Sequence, residues 1–448
     1  MKNLFMVSLG CPKNLVDSEV MLGTLEQAGY CVTDAPEKAE VILVNTCGFI
    51  QPAVEEAIDT ILELAAYKEE NPQQQLVVTG CMVQRYGSAL LEELPEVDLF
   101  IGLDDFPQLG EIMAEEATAP RLIAKSGSAT FLMDSSHSRR LTTPAFRSYL
   151  KITEGCDNRC SYCMIPSIRG NLRSREVSDL IEEAVALQEV GVQELCLIAQ
   201  DLTAYGNDLK TPVNLVQLLE QLLLRTDIPW FRLLYAYPSG ITNELLQLMA
   251  NNPRIVPYLD IPFQHVSDPV LQRMNRHYGH QVLDELILRI RRFLPECALR
   301  TTLMVGFPGE TFEDVEVMIA ALQKWQFDHV GVFQYQDEEG SAAALLDEKV
   351  DDEEKAIRYE QVMTILADIS QQRMQRFVGR IEPVLVEGVS KESDLLLEGR
   401  TRFQAPEIDG CVYITLGMVN PGDIVSVQIT EAHTYDLVGE VVDQQEDG

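Results

Sequence analysis

Basic residues are scarce in this chain. Lys and Arg number 35 against 70 Asp and Glu in 448 residues, a formal net charge of −35. Such a surface repels phosphate backbones and draws basic partners, or serves solubility alone. Long apolar runs are missing too. None approaches the ~18 residues a membrane-spanning helix needs, although hydrophobic residues make up 46% of the chain, ample for several packed cores. The opening MKNLFMVSLGCPKN superficially resembles a lipoprotein signal, with a lysine, a short apolar run and a small residue before Cys11. That run is shorter than a secretory core and alternates as a strand does, so the expectation is the first strand of a cytoplasmic protein. In a reducing compartment the ten cysteines are buried hydrophobes, nucleophiles or metal ligands, not disulfides.

A fourth cysteine is also missing where one is wanted. EGCDNRCSYC, residues 154–163, carries Cys156, Cys160 and Cys163, and no histidine follows at zinc-finger distance. Tetrahedral zinc and ordinary iron–sulfur clusters take four ligands. The spacing Cys-x3-Cys-x2-Cys lets one loop wrap a corner of a 4Fe-4S cubane, three thiolates on three irons, with the fourth iron open. An open iron can bind the amino and carboxylate groups of S-adenosyl-L-methionine, whose reductive cleavage frees a 5′-deoxyadenosyl radical. A three-cysteine zinc site with a remote fourth ligand fits the same spacing. The aromatic Tyr162 before the last cysteine, and the position of the loop after a strand, favour the cluster.

The chain has three grammars. Residues 1–117 alternate strands and helices, and three β-rich runs (LFMVSLGC, AEVILVNTC, QLVVTGC) end at Cys11, Cys47 and Cys81, with VDLFIG as a fourth strand. Such βαβ alternation builds a parallel sheet whose strand carboxyl ends lie along one edge. Three cysteines distant in sequence therefore converge, which one strand-end cysteine as core filler would not explain. Residues 118–140 read as a linker or a hairpin crossing between domains. Residues 141–376 offer six strands (SYLKITEG, ELCLIAQD, WFRLLYAYP, YLDIPFQH, LRTTLMVGFPG, HVGVFQYQ) separated by helices and closed by a long one, a partial (β/α)6 barrel with function in the loops after the strands. Residues 377–445 change to short alternating strands with Gly, Pro and Asp turns, a small antiparallel β-barrel.

CDNRCSYC resembles the radical S-adenosylmethionine superfamily. GCPKNLVDSE, NTCGFI, TGCMVQRY, EGCDNRCSYCMIPSIRGNLRSR, IAQDLTAYG, IPFQHVSDPVLQRMNR and VGFPGET together resemble its methylthiotransferases, and within them the branch that modifies an aspartate of ribosomal protein S-twelve. The resemblance runs from residue 3 into the C-terminal barrel. It implies an N-terminal methylthiotransferase α/β domain, a radical S-adenosylmethionine core and a TRAM-like C-terminal barrel. It also implies that Cys11, Cys47 and Cys81 hold a second 4Fe-4S cluster with one open iron. Putting sulfur on an unactivated carbon requires a strong radical to abstract hydrogen. The barrel cluster would make that radical, and the N-terminal cluster would hold the sulfur to be methylated and transferred. An electron donor and a sulfur source are then required partners. No side chain is expected to be catalytic, because the clusters carry the chemistry.

Supporting residues follow from position. LMVGFPGE resembles the superfamily's adenine-contacting strand end, which places Val305 and Gly306 beside the cofactor. Gln200 and Asp201 end the second barrel strand, where its methionine or ribose part should lie, and Tyr162 belongs to the cluster loop. Arg169, Arg173 and Arg175 follow that loop and suit a carboxylate clamp, although charged residues at a helix start more commonly face solvent. His265 ends the fourth strand and is read as structural, as are Cys31, Cys196, Cys297 and Cys411, which lack partners at ligand spacing.

The resembling family has two targets, an adenosine of transfer RNA and the ribosomal-protein aspartate. Residues 377–448 carry 4 Lys or Arg against 14 Asp or Glu. An RNA-gripping domain has a basic face, so the acidic barrel and the spelling GCPKNLVDSE both favour the protein, alone or within the small ribosomal subunit. A rival of another class is a non-catalytic, zinc-bearing ribosome assembly factor, which would be colourless after anaerobic purification.

Overall fold

Strand–helix alternation produces the first sheet. The computed structural model describes residues 2–115, 120–125 and 127–442. Six strands, β1 (Lys2–Ser8), β2 (Tyr30–Val32), β3 (Val41–Thr46), β4 (Gln75–Gly80), β5 (Leu99–Ile101) and β6 (Arg121–Ile123), pair in the order β2-β1-β3-β4-β5-β6. Every pairing is parallel. β3 is buried along its whole length, as a central strand covered on both faces must be. Leu43 faces one core with Leu4 and Leu99, and Ile42 and Val44 face the other with Ile61 and Val78.

The three-residue strands β2 and β6 show no strand pattern in the sequence. β6 lies within the segment expected to be a linker or hairpin, yet it extends this sheet in parallel with β5. The expected boundary between residues 117 and 118 lies outside the described residues, as do residues 443–445 of the C-terminal segment.

The second sheet consists of β7 (Arg147–Lys151), β10 (Glu194–Ile198), β11 (Trp230–Leu233), β12 (Ile255–Asp260), β13 (Ala298–Val305) and β14 (His329–Gln334), in the order β14-β13-β12-β11-β10-β7. All are parallel, an open barrel of six strands. A short antiparallel pair, β8 (Thr153–Glu154) with β9 (Arg173–Ser174), closes the base of the loop that carries the cysteine triplet.

The C-terminal strands β15 (Ile381–Val389), β16 (Leu397–Thr401), β17 (Val412–Leu416), β18 (Ile424–Ala432) and β19 (Leu437–Val441) form a closed barrel, β15-β16-β17-β19-β18. Its pairings are antiparallel except β17 with β19, which is parallel. Closure leaves no free strand edge.

Two contacts orient the parts. Helix α1 (Pro12–Gln27) follows β1, and its Val16 and Val20 share a core with Tyr149 of β7 and with the C-terminal barrel residues Phe403 and Val412. On β10, Glu194 binds Arg232 of β11 at 2.7 Å and Arg400 of β16 at 2.6 Å, which ties the base of the open barrel to the closed one.

Candidate active site

The N-terminal cysteines sit at the carboxyl ends of three neighbouring strands. Cys11 is the N-cap of α1, whose first residue is Pro12, a proline where no backbone donor is needed. Cys47 follows β3, and Cys81 opens the short helix that follows β4. Glycines allow this approach. Gly10 has φ +89°, and a Cβ there would stand 2.7 Å from Cys47 Cβ; Gly80 has φ +101°, and a Cβ would stand 2.4 Å from Asn45 Oδ1. Burial pushes the Cys81 thiol up to about 12. Arg169 opposes that shift, while Cys47 and Cys11 add repulsion. Burial raises Cys47 as well, against a backbone donor from Phe49.

The second triad lies in the loop after β7. Gly155 has φ +73° and faces Asn171 O so closely that a Cβ would stand 2.1 Å from it. Cys156 N donates to Gly170 O at 3.1 Å and Ser161 N to Met274 O at 3.0 Å, which pins the loop at its start and middle, while Cys163 N donates to Cys160 O at 3.1 Å in a turn within it. Burial pushes Cys156 up to about 11 and Cys163 up to about 12, with Cys160 adding to both. Arg276 donates to Cys160 Sγ at 3.5 Å.

Two triads of mutually interacting thiols, with no carboxylate among them, are a soft donor set suited to iron–sulfur centres or zinc and not to calcium or magnesium. Among the described residues no three His, Cys, Asp or Glu side chains gather around one point as a single ion requires. A cubane gives each thiolate its own iron and does not ask for that closure, so the residues present fit the cluster.

A buried charge network joins the triads. Arg169 lies just beyond the barrel triad. Its Nε donates to Cys81 Sγ at 3.3 Å, and its other nitrogens reach Glu154 at 3.0 Å, Asp17 at 2.8 Å and Asn14 Oδ1 at 3.3 Å. Lys151 pairs with Asp17 and, at 2.8 Å, with Glu154. Burial alone would raise the Glu154 carboxyl, but Arg169 and Lys151 hold it well below the usual range. The expected clamp is therefore corrected: Arg169 is filled by the chain's own carboxylates. Arg175 is likewise taken by Asp179 at 2.7 Å and Glu183 at 2.5 Å, and Arg173 by the carbonyls of Phe131 and Arg169. Nor do Arg169 and Arg175 face solvent; both are buried.

Of the residues expected around the cofactor, Gln200 and Asp201 stand beside the barrel triad. Gln200 Nε2 donates to Glu154 at 3.0 Å, while its buried Oε1 has no donor among the described residues. Asp201 accepts from Asn158 at 2.7 Å and caps Thr203, and with Cys156 and Tyr237 it lines a cavity of about 260 Å³. Tyr162 packs edge-on against Phe307, ring centroids 6.4 Å apart, and so anchors the loop. The Val305 side chain is fully buried in a core with Val315 and Met318 of the following helix, which leaves only its backbone near the rim. Gly306 has φ +75°, and its N–H donates to Glu310 at 2.9 Å.

Glu310 also binds Arg358 at 2.7 Å and lies 3.2 Å from His265 Nε2, whose Nδ1 accepts from Ser267 N. His265 is fully buried. Cys196 and Cys297 are core residues; Cys31 and Cys411 belong to neither triad. Sequence reasoning passed over Lys13 and Arg276.

An open parallel barrel with a three-cysteine loop after its first strand defines a radical S-adenosylmethionine protein. Residues 150–322 match the profile of the Radical SAM superfamily, residues 3–102 that of the Uncharacterized protein family UPF0004, and residues 378–442 the TRAM domain. Among solved structures, the radical S-adenosylmethionine methyltransferase TsrM from Kitasatospora setae shares the fold, with a TM-score of 0.55 and 15% identity over 74% of this chain and 73% of that one. The ribosomal protein uS12 methylthiotransferase RimO of Desulfotalea psychrophila is 53% identical over 437 residues, 98% of each chain, and that of Geobacter sulfurreducens 48% identical over 98% of each. The chain belongs to the family of ribosomal protein uS12 methylthiotransferases.

Proposed function

We propose that this enzyme methylthiolates the β-carbon of an aspartate in ribosomal protein uS12, with Cys156, Cys160 and Cys163 holding one 4Fe-4S cluster and Cys11, Cys47 and Cys81 another. The observation that carries the reading is the family membership over 98% of the chain, joined to two separate thiol triads bridged by Arg169. When bound, the clusters and S-adenosylmethionine supply the radical and the sulfur chemistry.

The chain's residues position and exclude. Arg169 and Lys151, with Asp17 and Glu154, lock the N-terminal sheet against the barrel and hold the two triads in fixed relation. Arg169 places positive charge against the Cys81 thiol, which burial raises, and Arg276 donates to Cys160 Sγ. Gln200, Asp201 and the backbone of Val305 and Gly306 form the rim for S-adenosylmethionine, with Tyr162 bracing the loop beneath. We divide the labour accordingly: residues 1–117 for sulfur, 118–140 as connection, 141–376 for the radical step and 377–445 for the partner.

Charge supports the protein substrate. In the C-terminal barrel, Arg400 is buried against Glu194 and Glu387, Arg402 is 3.7 Å from Glu382, and Arg380 pairs with Glu296. Among the described residues of that barrel Lys391 alone is a cation outside an ion pair, too little for an RNA face. Basic uS12, free or in the small subunit, is steered by the same field. An electron donor and a sulfur source complete the system. Among the described residues no helix is long and apolar enough to cross a membrane, and a ribosomal substrate places the work in the cytoplasm.

The test offers uS12 and transfer RNA together to the reconstituted enzyme with S-adenosylmethionine, sulfide and a reductant. Mass spectrometry should find the methylthio group on uS12. Modified transfer RNA with untouched uS12 would overturn the substrate, and a colourless, iron-free protein after anaerobic purification would overturn the enzyme.

A further inference from the structure

Among the described residues, the buried Lys13 ammonium lies outside any ion pair, although Asp260 and Glu154 are near enough to act on it. Lys13 is the second residue after Cys11 and is nine-tenths buried. Its Nζ donates to Ala199 O at 3.3 Å and lies 3.3 Å from the centroid of the Tyr235 ring. Ala199 and Tyr235 follow β10 and β11, so Lys13 crosses from the N-terminal sheet to the carboxyl rim of the barrel, the face at which such barrels bind substrate.

Tyr235 is held there under constraint. Its φ is +66°, which side chains other than glycine's rarely adopt. Its N–H donates to Asp260 at 3.1 Å and its carbonyl accepts from Leu202 N at 2.9 Å. The constraint keeps the aromatic face beneath the ammonium.

The charges around Lys13 are already matched without it. Asp17 and Glu154 pair with Lys151 and Arg169. Asp260 pairs with Arg300 at 3.0 Å. Arg276 donates to Cys160 Sγ and stacks on Tyr237 and Tyr278. Lys13 has three N–H donors and spends one on a carbonyl. A buried cation left this way is expensive, and an anionic ligand that completes it removes the cost.

We propose that Lys13 receives the side-chain carboxylate of the target residue and so sets the preference for an acidic side chain. The inference rests on the reading that the substrate is an aspartate of uS12. The aspartate β-carbon is bonded directly to the carboxylate carbon. Fixing the carboxylate on Lys13 therefore fixes the reacting carbon within one bond, beside Cys11 on one side and the barrel rim on the other. Arg169 and Arg175, after the barrel triad, are instead paired with the chain's own carboxylates.

The experiment measures binding of intact uS12, and of uS12 with the target Asp replaced by Asn, to the reconstituted holoenzyme by fluorescence anisotropy. The wild-type enzyme should favour the Asp form at least tenfold. Lys13→Met should abolish that preference, and Lys13→Arg should restore most of it with a raised KM. Iron content and S-adenosylmethionine affinity, measured on the same preparations, should stay at wild-type levels. A Lys13→Met enzyme that keeps the preference overturns the proposal, as does one that keeps the preference while losing iron or S-adenosylmethionine. Should Lys13→Met not fold, Lys13→Gln is read the same way, and a Lys13→Arg enzyme without preference also overturns it. A wild-type enzyme that neither binds nor modifies uS12 instead overturns the substrate reading beneath it.

Discussion

Arg169 Nε lies 3.3 Å from Cys81 Sγ. The guanidinium follows the loop of the barrel triad and the thiol follows a strand of the N-terminal sheet, so one hydrogen bond spans the regions of the two cysteine triads. The same side chain neutralises Asp17 and Glu154, one from each region.

Arg169→Met should therefore act on both stability and metal content. It leaves two buried carboxylates to share Lys151, a loss of about 3–5 kcal/mol by analogy with broken buried pairs. Arg169→Lys keeps the charge but loses the fork, and should recover only part of this. Chemical denaturation, together with iron analysis of the reconstituted variants, reads both effects.

The two triads should load independently. Alanine at Cys156, Cys160 and Cys163 together should halve the iron and abolish 5′-deoxyadenosine formation. Cys47→Ala should still cleave S-adenosylmethionine reductively but make no methylthio product. Complete iron loss in the triple variant, or full product from Cys47→Ala, would contradict separate sites.

Gly10→Ala tests the close approach that assembles the N-terminal triad. Its Cβ would stand 2.7 Å from Cys47 Cβ at φ +89°. Strain of about 1–3 kcal/mol is the expected scale for such a backbone position, and the iron of the N-terminal triad should be lost preferentially. Gly191→Ala has φ +100° but nothing within 4 Å, so it should show strain without iron loss.

Legibility followed the length of the patterns. The six barrel strands each end in a recognisable break, and the three strand-end cysteines of the first sheet could be placed on one edge from strand–helix alternation alone. The strands β2 and β6 show no strand pattern in the sequence, whereas β5, also three residues long, stands out through the apolar run VDLFIG. At the site, ligand spacing exposed Cys156, Cys160 and Cys163, because they share one loop. The role of Arg169 was not legible, because its partners Asp17 and Cys81 are 152 and 88 residues away. The burial of the Val305 side chain was not legible either, because a strand-end position does not tell which face of the pleat a side chain takes.

Glu194 should govern the join between the barrels. Burial would raise its carboxyl, but Arg232 and Arg400 hold it down at about 2. Because the folded value lies below the ordinary one of 4.5, the stabilisation is complete above that pH and is lost as pH falls from there towards about 2. Glu194→Gln leaves both arginines buried without a counter-charge and should cost about 3–5 kcal/mol at neutral pH. Unfolding free energies across the acid range should show a steeper loss in wild type than in the variant.

The most direct measurement is the fragment mass spectrum of uS12 after incubation with the reconstituted holoenzyme. A single methylthio group in place of one hydrogen, on an aspartate side chain and absent when either triad is replaced by alanine, is the expected result. A methylthio group that still appears with one triad removed, or that appears on transfer RNA alone, would contradict it.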